Sequence, residues 1–187
     1  MSDYIVEPKS RIKLRSLANK LRKILCLTDV IWIPIVELLD VFAEVFEGFS
    51  YEIVPDNELP KRTHAETNIR TGHIKIKESI YERACAGKGR DRMTIAHEIA
   101  HFFMLCSCGF KLIRVDDSSR WPLYYHPEWQ AKFFAGEFMI SYRLTKGMKP
   151  NAIKRRCGVS SKAANYQYSH GRKGGDNYKK TNKKALH

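Results

Sequence analysis

Hydrophobic positions along this chain repeat with two periods, and each stretch of constant period predicts an element. Over residues 10–27, Ile12, Leu14, Leu17, Ala18, Leu21, Ile24 and Leu25 recur at helical spacing behind a capping Ser10. Basic residues lie between them, and this amphipathic helix is expected to pack on its own domain rather than on a membrane or DNA. A second helix is predicted over residues 34–48, where Pro34 suits a first turn and Gly48 a stop. The period then falls to two. Phe49, Tyr51 and Ile53 alternate with polar neighbours, as do the residues of His73-Ile74-Lys75-Ile76-Lys77, so two short paired strands are expected. Residues 55–71 between them are polar and contain proline, and read as a loop or irregular edge segment. A short helix over residues 79–86 and a Gly-Lys-Gly-Arg-Asp turn lead into the next segment.

That segment, residues 90–106, holds good helix formers and is apolar almost all round, the pattern of a helix buried in a core. Asp91 is its expected N-cap. Set into it is His97-Glu98-Ile99-Ala100-His101, an H-E-x-x-H sequence. Residues i and i+4 stand one above the other on a helix, so both imidazoles can reach one Zn²⁺, and Glu98 falls where a general base would stand. Two histidines on a wet helix face would need no such account. Inside an apolar helix, however, unpaired imidazoles and a carboxylate are costly to bury, and a metal removes that cost.

A two-histidine site needs a third protein ligand. After an irregular stretch and the aromatic Trp121-Pro122-Leu123-Tyr124-Tyr125-His126, Pro127 opens another predicted helix, with Trp129, Phe133, Phe134, Phe138 and Met139 on its apolar side. Glu128 lies in its first turn, with Ala131 and Ala135 clearing space along the same strip. It would complete a His₂Glu set, with Asp116, Asp117, His126 and Glu137 as rivals, although an acid at a helix N-terminus is favourable in any protein. His64 and His73 read as surface residues. The 73–77 strand, with Ile74 and Ile76, is a candidate edge for holding an extended substrate peptide.

Composition narrows the class. The 187 residues suit one domain with a small appendage, and 43% hydrophobic content is ordinary for a globular protein. No apolar run approaches a membrane span and no signal-peptide region is evident, so a cytoplasmic location is expected. Five scattered cysteines, including Cys106 and Cys108, lack zinc-knuckle spacing and are expected as reduced structural thiols. The net charge of +13 is uneven. Residues 1–137 hold 20 Lys/Arg against 19 Asp/Glu, whereas residues 138–187 hold 13 against one, Asp176. Such a basic end can meet nucleic acid or an acidic partner, though a solvated basic end is the commoner case.

Two segments, residues 74–103 and 126–141, together resemble the ImmA/IrrE family of metallopeptidases: a strand, a short helix, an arginine-containing turn, H-E-x-x-H, and a second helix opening E-x-x-A with a later F-A. The resemblance covers roughly the central seventy residues. It implies a zincin-like α+β domain with a small mixed or antiparallel sheet on the H-E-x-x-H helix, zinc on His97, His101 and Glu128, and Glu98 as the catalytic group. Many members cleave phage-type or stress-response repressors near a helix-turn-helix region, and their genes often belong to prophages. Residues 151–169 also resemble the helical segment that follows the family's peptidase core, with Gly158-Val159-Ser160 as turn and cap. The chain departs from the family at Lys132 (often Asn), Ala100 (often Gly) and Ser141-Tyr142 (usually followed through a Pro). Lys132 would repel a metal if it pointed inward, unless its stem carries the charge outward.

The expected organisation is therefore one metallopeptidase domain over residues 1–169, with its core at about 49–142 and a helical segment at 150–169, followed by a disordered basic tail over 170–187. The expected function is a zinc-dependent endopeptidase that takes a protein substrate, a helix-turn-helix repressor. Tyr124, Tyr125, His126 and Arg92 are candidates for stabilising the oxyanion or holding substrate. The rival readings are a non-catalytic metal-binding regulator and a toxin-antitoxin-type partner, binding a repressor or nucleic acid through the basic C-terminal region.

Overall fold

The computed structural model describes residues 4–107 and 112–170. The expected disorder of residues 171–187 and the role assigned to Cys108 lie outside that range. Helix α1 (Arg11–Ile24) is capped by Ser10, whose hydroxyl accepts from the Lys13 N–H, and it buries Leu14, Ala18 and Leu21. Helix α2 (Glu37–Val45) starts three residues after Pro34, later than the sequence predicts. Strands β2 (Ser50–Val54) and β4 (His73–Lys77) form the expected pair, and they run parallel. Three strands were not foreseen in sequence. Strand β1 (Tyr4–Val6) pairs with β5 (Leu112–Arg114), and β3 (Ala65–Thr67), inside the expected loop, pairs antiparallel with β4. Each is only three residues long, too short for an alternation to show.

The three-stranded sheet has the order β2-β4-β3 and is therefore mixed. This corrects one expectation. Strand β4 is central, both its edges are paired, and Ile74 and Ile76 are fully buried, so they present no edge to a peptide. The outer strands are β2 and β3, and of these β3 packs against the H-E-x-x-H helix.

Helix α3 (Glu78–Cys85) leads to α4 (Gly89–His101), which carries His97, Glu98 and His101. It begins two residues before Asp91, which is not the N-cap. Asp91 sits buried in the first turn, held by Arg83 at 3.0 Å. Beyond His101 the chain widens into a π-helical turn (Phe102–Ser107), where Phe102 and Phe103 pack edge-to-face with Phe42, Phe46 and Phe49. Helix α5 (Pro127–Met139) crosses α4 and α1 and is almost entirely buried, because apolar or small side chains point in on every side. After the short α6 (Tyr142–Thr145) come α7 (Pro150–Cys157) and α8 (Ser161–His170), which pack on each other; His170 ends α8 rather than beginning a tail. Cys26, Cys85 and Cys157 are free thiols. The fold is α+β, and no described helix is long and apolar enough to cross a membrane.

Candidate metal centre

Buried Ile95, Ala96, Ile99 and Ala100 seat α4 in the core, and the helix packs against β3 and α5. Pro127 fixes the first turn of α5 there, and Glu128 follows it. The Glu128 carboxylate spans both imidazoles. Its Oε1 is 3.0 Å from His101 Nε2 and its Oε2 is 3.1 Å from His97 Nε2. The two Nε2 atoms are 3.2 Å apart, and their rings meet edge to face. Bonds from His101 first, then His97, hold the Glu128 carboxyl well below the usual carboxylate range.

These separations test the fit to a metal. A tetrahedral ion with arms of about 2.0–2.1 Å has edges of about 3.3 Å. Three donors already face one another at nearly that spacing, two imidazole nitrogens and one ionised carboxylate, the chemistry Zn²⁺ prefers. His97 Nδ1 is buried with no hydrogen-bond partner among the described residues, so that ring is oriented by packing.

Glu98 stands on the same helix but outside the donor set. Burial pushes its carboxyl above the ordinary value, while the His97 charge and a hydrogen bond from Thr67 pull the other way. The Thr67 hydroxyl lies 2.7 Å from Glu98 Oε2, which aims the carboxylate from the edge strand. A cleft of about 400 Å³ opens over the three ligands and Glu98, walled by Ala65, Glu66 and Thr67 of β3, by Pro127, and by Tyr4 of β1. Sequence reasoning missed Tyr4 and Thr67, because nothing local marks a residue brought in by a three-residue strand.

Several expected site residues lie elsewhere. Arg92 is buried under the Trp32 ring and spends its guanidinium on the Ile33 and Gly158 carbonyls, at 2.6 and 2.9 Å. It is a structural arginine. Tyr124, Tyr125 and His126 precede Glu128 but do not line the cleft, and His126 Nε2 is bound to the Trp121 carbonyl at 3.0 Å. Among the rival ligands, Glu137 is paired with Arg15 at 2.9 Å, and Asp117 accepts from Ser119 and Arg120 within its own turn. His64 and His73 engage Arg90 and Ser50. Lys132 carries its charge into solvent, 3.9 Å from Glu128 Oε2, so it shields the carboxylate without filling the cleft.

Comparison with known proteins places these observations in a family. A family model described as the IrrE N-terminal-like domain, Peptidase M78, matches residues 57–169. A search of curated proteins finds no match. A solved structure of a Mycobacterium tuberculosis transcriptional regulator superposes on 83% of this chain with a TM-score of 0.58 and 17% identity, a likeness of fold. The chain spans 46% of that structure's length.

Proposed function

We propose, from the premise that this chain belongs to the Peptidase M78 family of IrrE N-terminal-like domains, that it is a zinc endopeptidase acting on a protein substrate. His97, His101 and Glu128 would hold Zn²⁺, which supplies a Lewis acid and an acidified water when bound. Glu98 takes a proton on Oε1 or Oε2 and returns it to the leaving amine, a role suited to a carboxylate whose affinity for protons burial has raised. Thr67 keeps that carboxylate turned toward the cleft. Ala65, Glu66 and Thr67 offer the exposed edge of β3 along the cleft wall, and an extended peptide can add to it as a further strand. The observation that carries the reading is the convergence of three donors within 4.8 Å of one another, with Glu98 buried beside them.

The substrate class follows from the family resemblance alone: a helix-turn-helix repressor of phage or stress-response type, cut near its DNA-binding region in the cytoplasm. The discriminating experiment compares wild type with Glu98→Gln after zinc loading, using repressor proteins encoded beside the gene. The variant should keep one zinc per chain by elemental analysis and lose at least 10²-fold in cleavage. A wild-type protein that binds metal and cleaves none of them, with Glu98→Gln equal in every regulatory readout, would establish the non-catalytic regulator instead.

A further inference from the structure

Hydrolysis of a peptide bond puts charge on the carbonyl oxygen, and a preorganised donor aimed at that oxygen lowers the barrier. Arg92, Tyr124, Tyr125 and His126 do not wall the cleft. The wall itself narrows the choice. Among the described residues that line it, Ala65, Ile69, Leu105 and Pro127 have no side-chain donor, and Glu66, Glu98 and Glu128 are acids. His97 and His101 face Glu128 through Nε2, and Thr67 gives its hydroxyl to Glu98. The N–H groups along the outer edge of β3 would serve the backbone of an added strand. That leaves Tyr4, a phenol that can donate without changing charge.

The fold fixes Tyr4 relative to the ligands. It opens β1, opposite Arg114 of β5, and is 42% exposed, whereas the next two residues, Ile5 and Val6, are buried and anchor the strand. Gln130, fully buried in α5, donates to the Glu7 carbonyl at 2.8 Å and to the Tyr124 carbonyl at 2.7 Å. One helix start thus carries Glu128 to the histidines and, two residues on, clamps the end of β1. Tyr4 also lies outside residues 57–169, which the family model matches. We propose that the Tyr4 hydroxyl is a catalytic donor to the carbonyl oxygen of the scissile bond, an inference that rests on the zinc-peptidase reading. Water adds to the carbonyl carbon, the C=O π pair moves onto oxygen, and Glu98 holds the proton that water loses. The Tyr4 O–H donates a hydrogen bond to that oxygen and keeps its own proton. When the pair returns to carbon the C–N bond breaks, its electrons go to nitrogen, and the amine takes the proton from Glu98.

The test compares zinc-loaded wild type, Tyr4→Phe, Tyr4→Ala and Glu98→Gln. The substrates are the repressor proteins encoded beside the gene, and N-phosphoryl-leucyl-tryptophan is the tetrahedral probe, its phosphoryl oxygens standing in for the hydrated carbonyl. Tyr4→Phe should lower kcat on the order of 10²-fold with KM unchanged, and Tyr4→Ala should lower it equally. Both should keep the zinc content and circular dichroism of wild type. The probe should bind Tyr4→Phe more weakly by the same factor as the fall in kcat/KM, a coupling that a merely structural tyrosine would not produce. The proposal is overturned if Tyr4→Phe keeps wild-type kcat and probe affinity while Glu98→Gln abolishes cleavage, a result that leaves the peptidase reading standing. It is also overturned if Tyr4→Ala loses activity and Tyr4→Phe does not, because the ring and not the hydroxyl would then matter. A zinc-loaded wild type that neither cleaves nor binds the probe overturns the peptidase reading itself, and this proposal with it.

Discussion

At the scale of single residues, the proposed function divides the candidate centre into groups that would hold a metal and one group that would move protons. Glu98 and Glu128 are carboxylates within reach of the same histidines, yet their environments push them in opposite directions: burial raises Glu98, and imidazole hydrogen bonds lower Glu128. The Thr67 hydroxyl is the adjustable part. It stabilises the charged form of Glu98, so Thr67→Val should raise the Glu98 carboxyl further and move the acid limb of kcat/KM to higher pH. The base must be ionised to work, which sets that sign, and a pH–rate profile on any cleavable substrate reads it. Lys132, 3.9 Å from Glu128, opposes a second cation in the cleft. Lys132→Ala should therefore tighten zinc by a few-fold in chelator competition, less at high salt, because the ammonium is exposed.

At the scale of elements, the site depends on how α5 is pinned. Glu137, buried in α5, accepts two bonds from Arg15 of α1, at 2.9 and 3.0 Å. Removing one partner of a buried pair leaves an uncompensated charge, so Arg15→Ala should cost about 3 kcal/mol in urea unfolding. Replacing both with Met and Leu should recover much of it. The same pair shows what could be read in sequence. Glu137 and Glu128 are both acids of one helix, and the strip they occupy told them apart, because α5 turns Glu128 to α4 and Glu137 to α1. Helices α1, α2, α4 and α5 were legible from runs of helix formers and their start and stop residues, whereas α7 and α8 came only through the family resemblance. Strands β1, β3 and β5 were not, since three residues carry no period. The misassigned substrate edge has that same origin: without β3, β4 looks like the end of its sheet. Arg92 misled for another reason, since an arginine near a motif looks available until its carbonyl partners in distant loops are known.

At the scale of the whole molecule, the H-E-x-x-H helix and the C-terminal helices meet at a close backbone approach. A Cβ placed on Gly89, at the first position of α4, would lie 2.4 Å from the Val159 carbonyl carbon and 2.8 Å from the Ser160 nitrogen, in the turn between α7 and α8. These are backbone atoms and cannot swing aside, so Gly89→Ala should cost about 1–3 kcal/mol in thermal or urea unfolding. A Cβ on Gly158 would in turn meet the Trp32 ring at 2.4 Å, the ring that also covers Arg92. Glycine is thus required at both faces of this junction, once for a close backbone approach and once for a left-handed turn as well.

The junction has a mechanical consequence. Gly89 is the foot of the helix that carries the two imidazoles, eight and twelve residues on, or about 12 and 18 Å along its axis. The 158–160 turn packs directly against that foot, so a substitution that displaces the turn is expected to shift the first turn of α4.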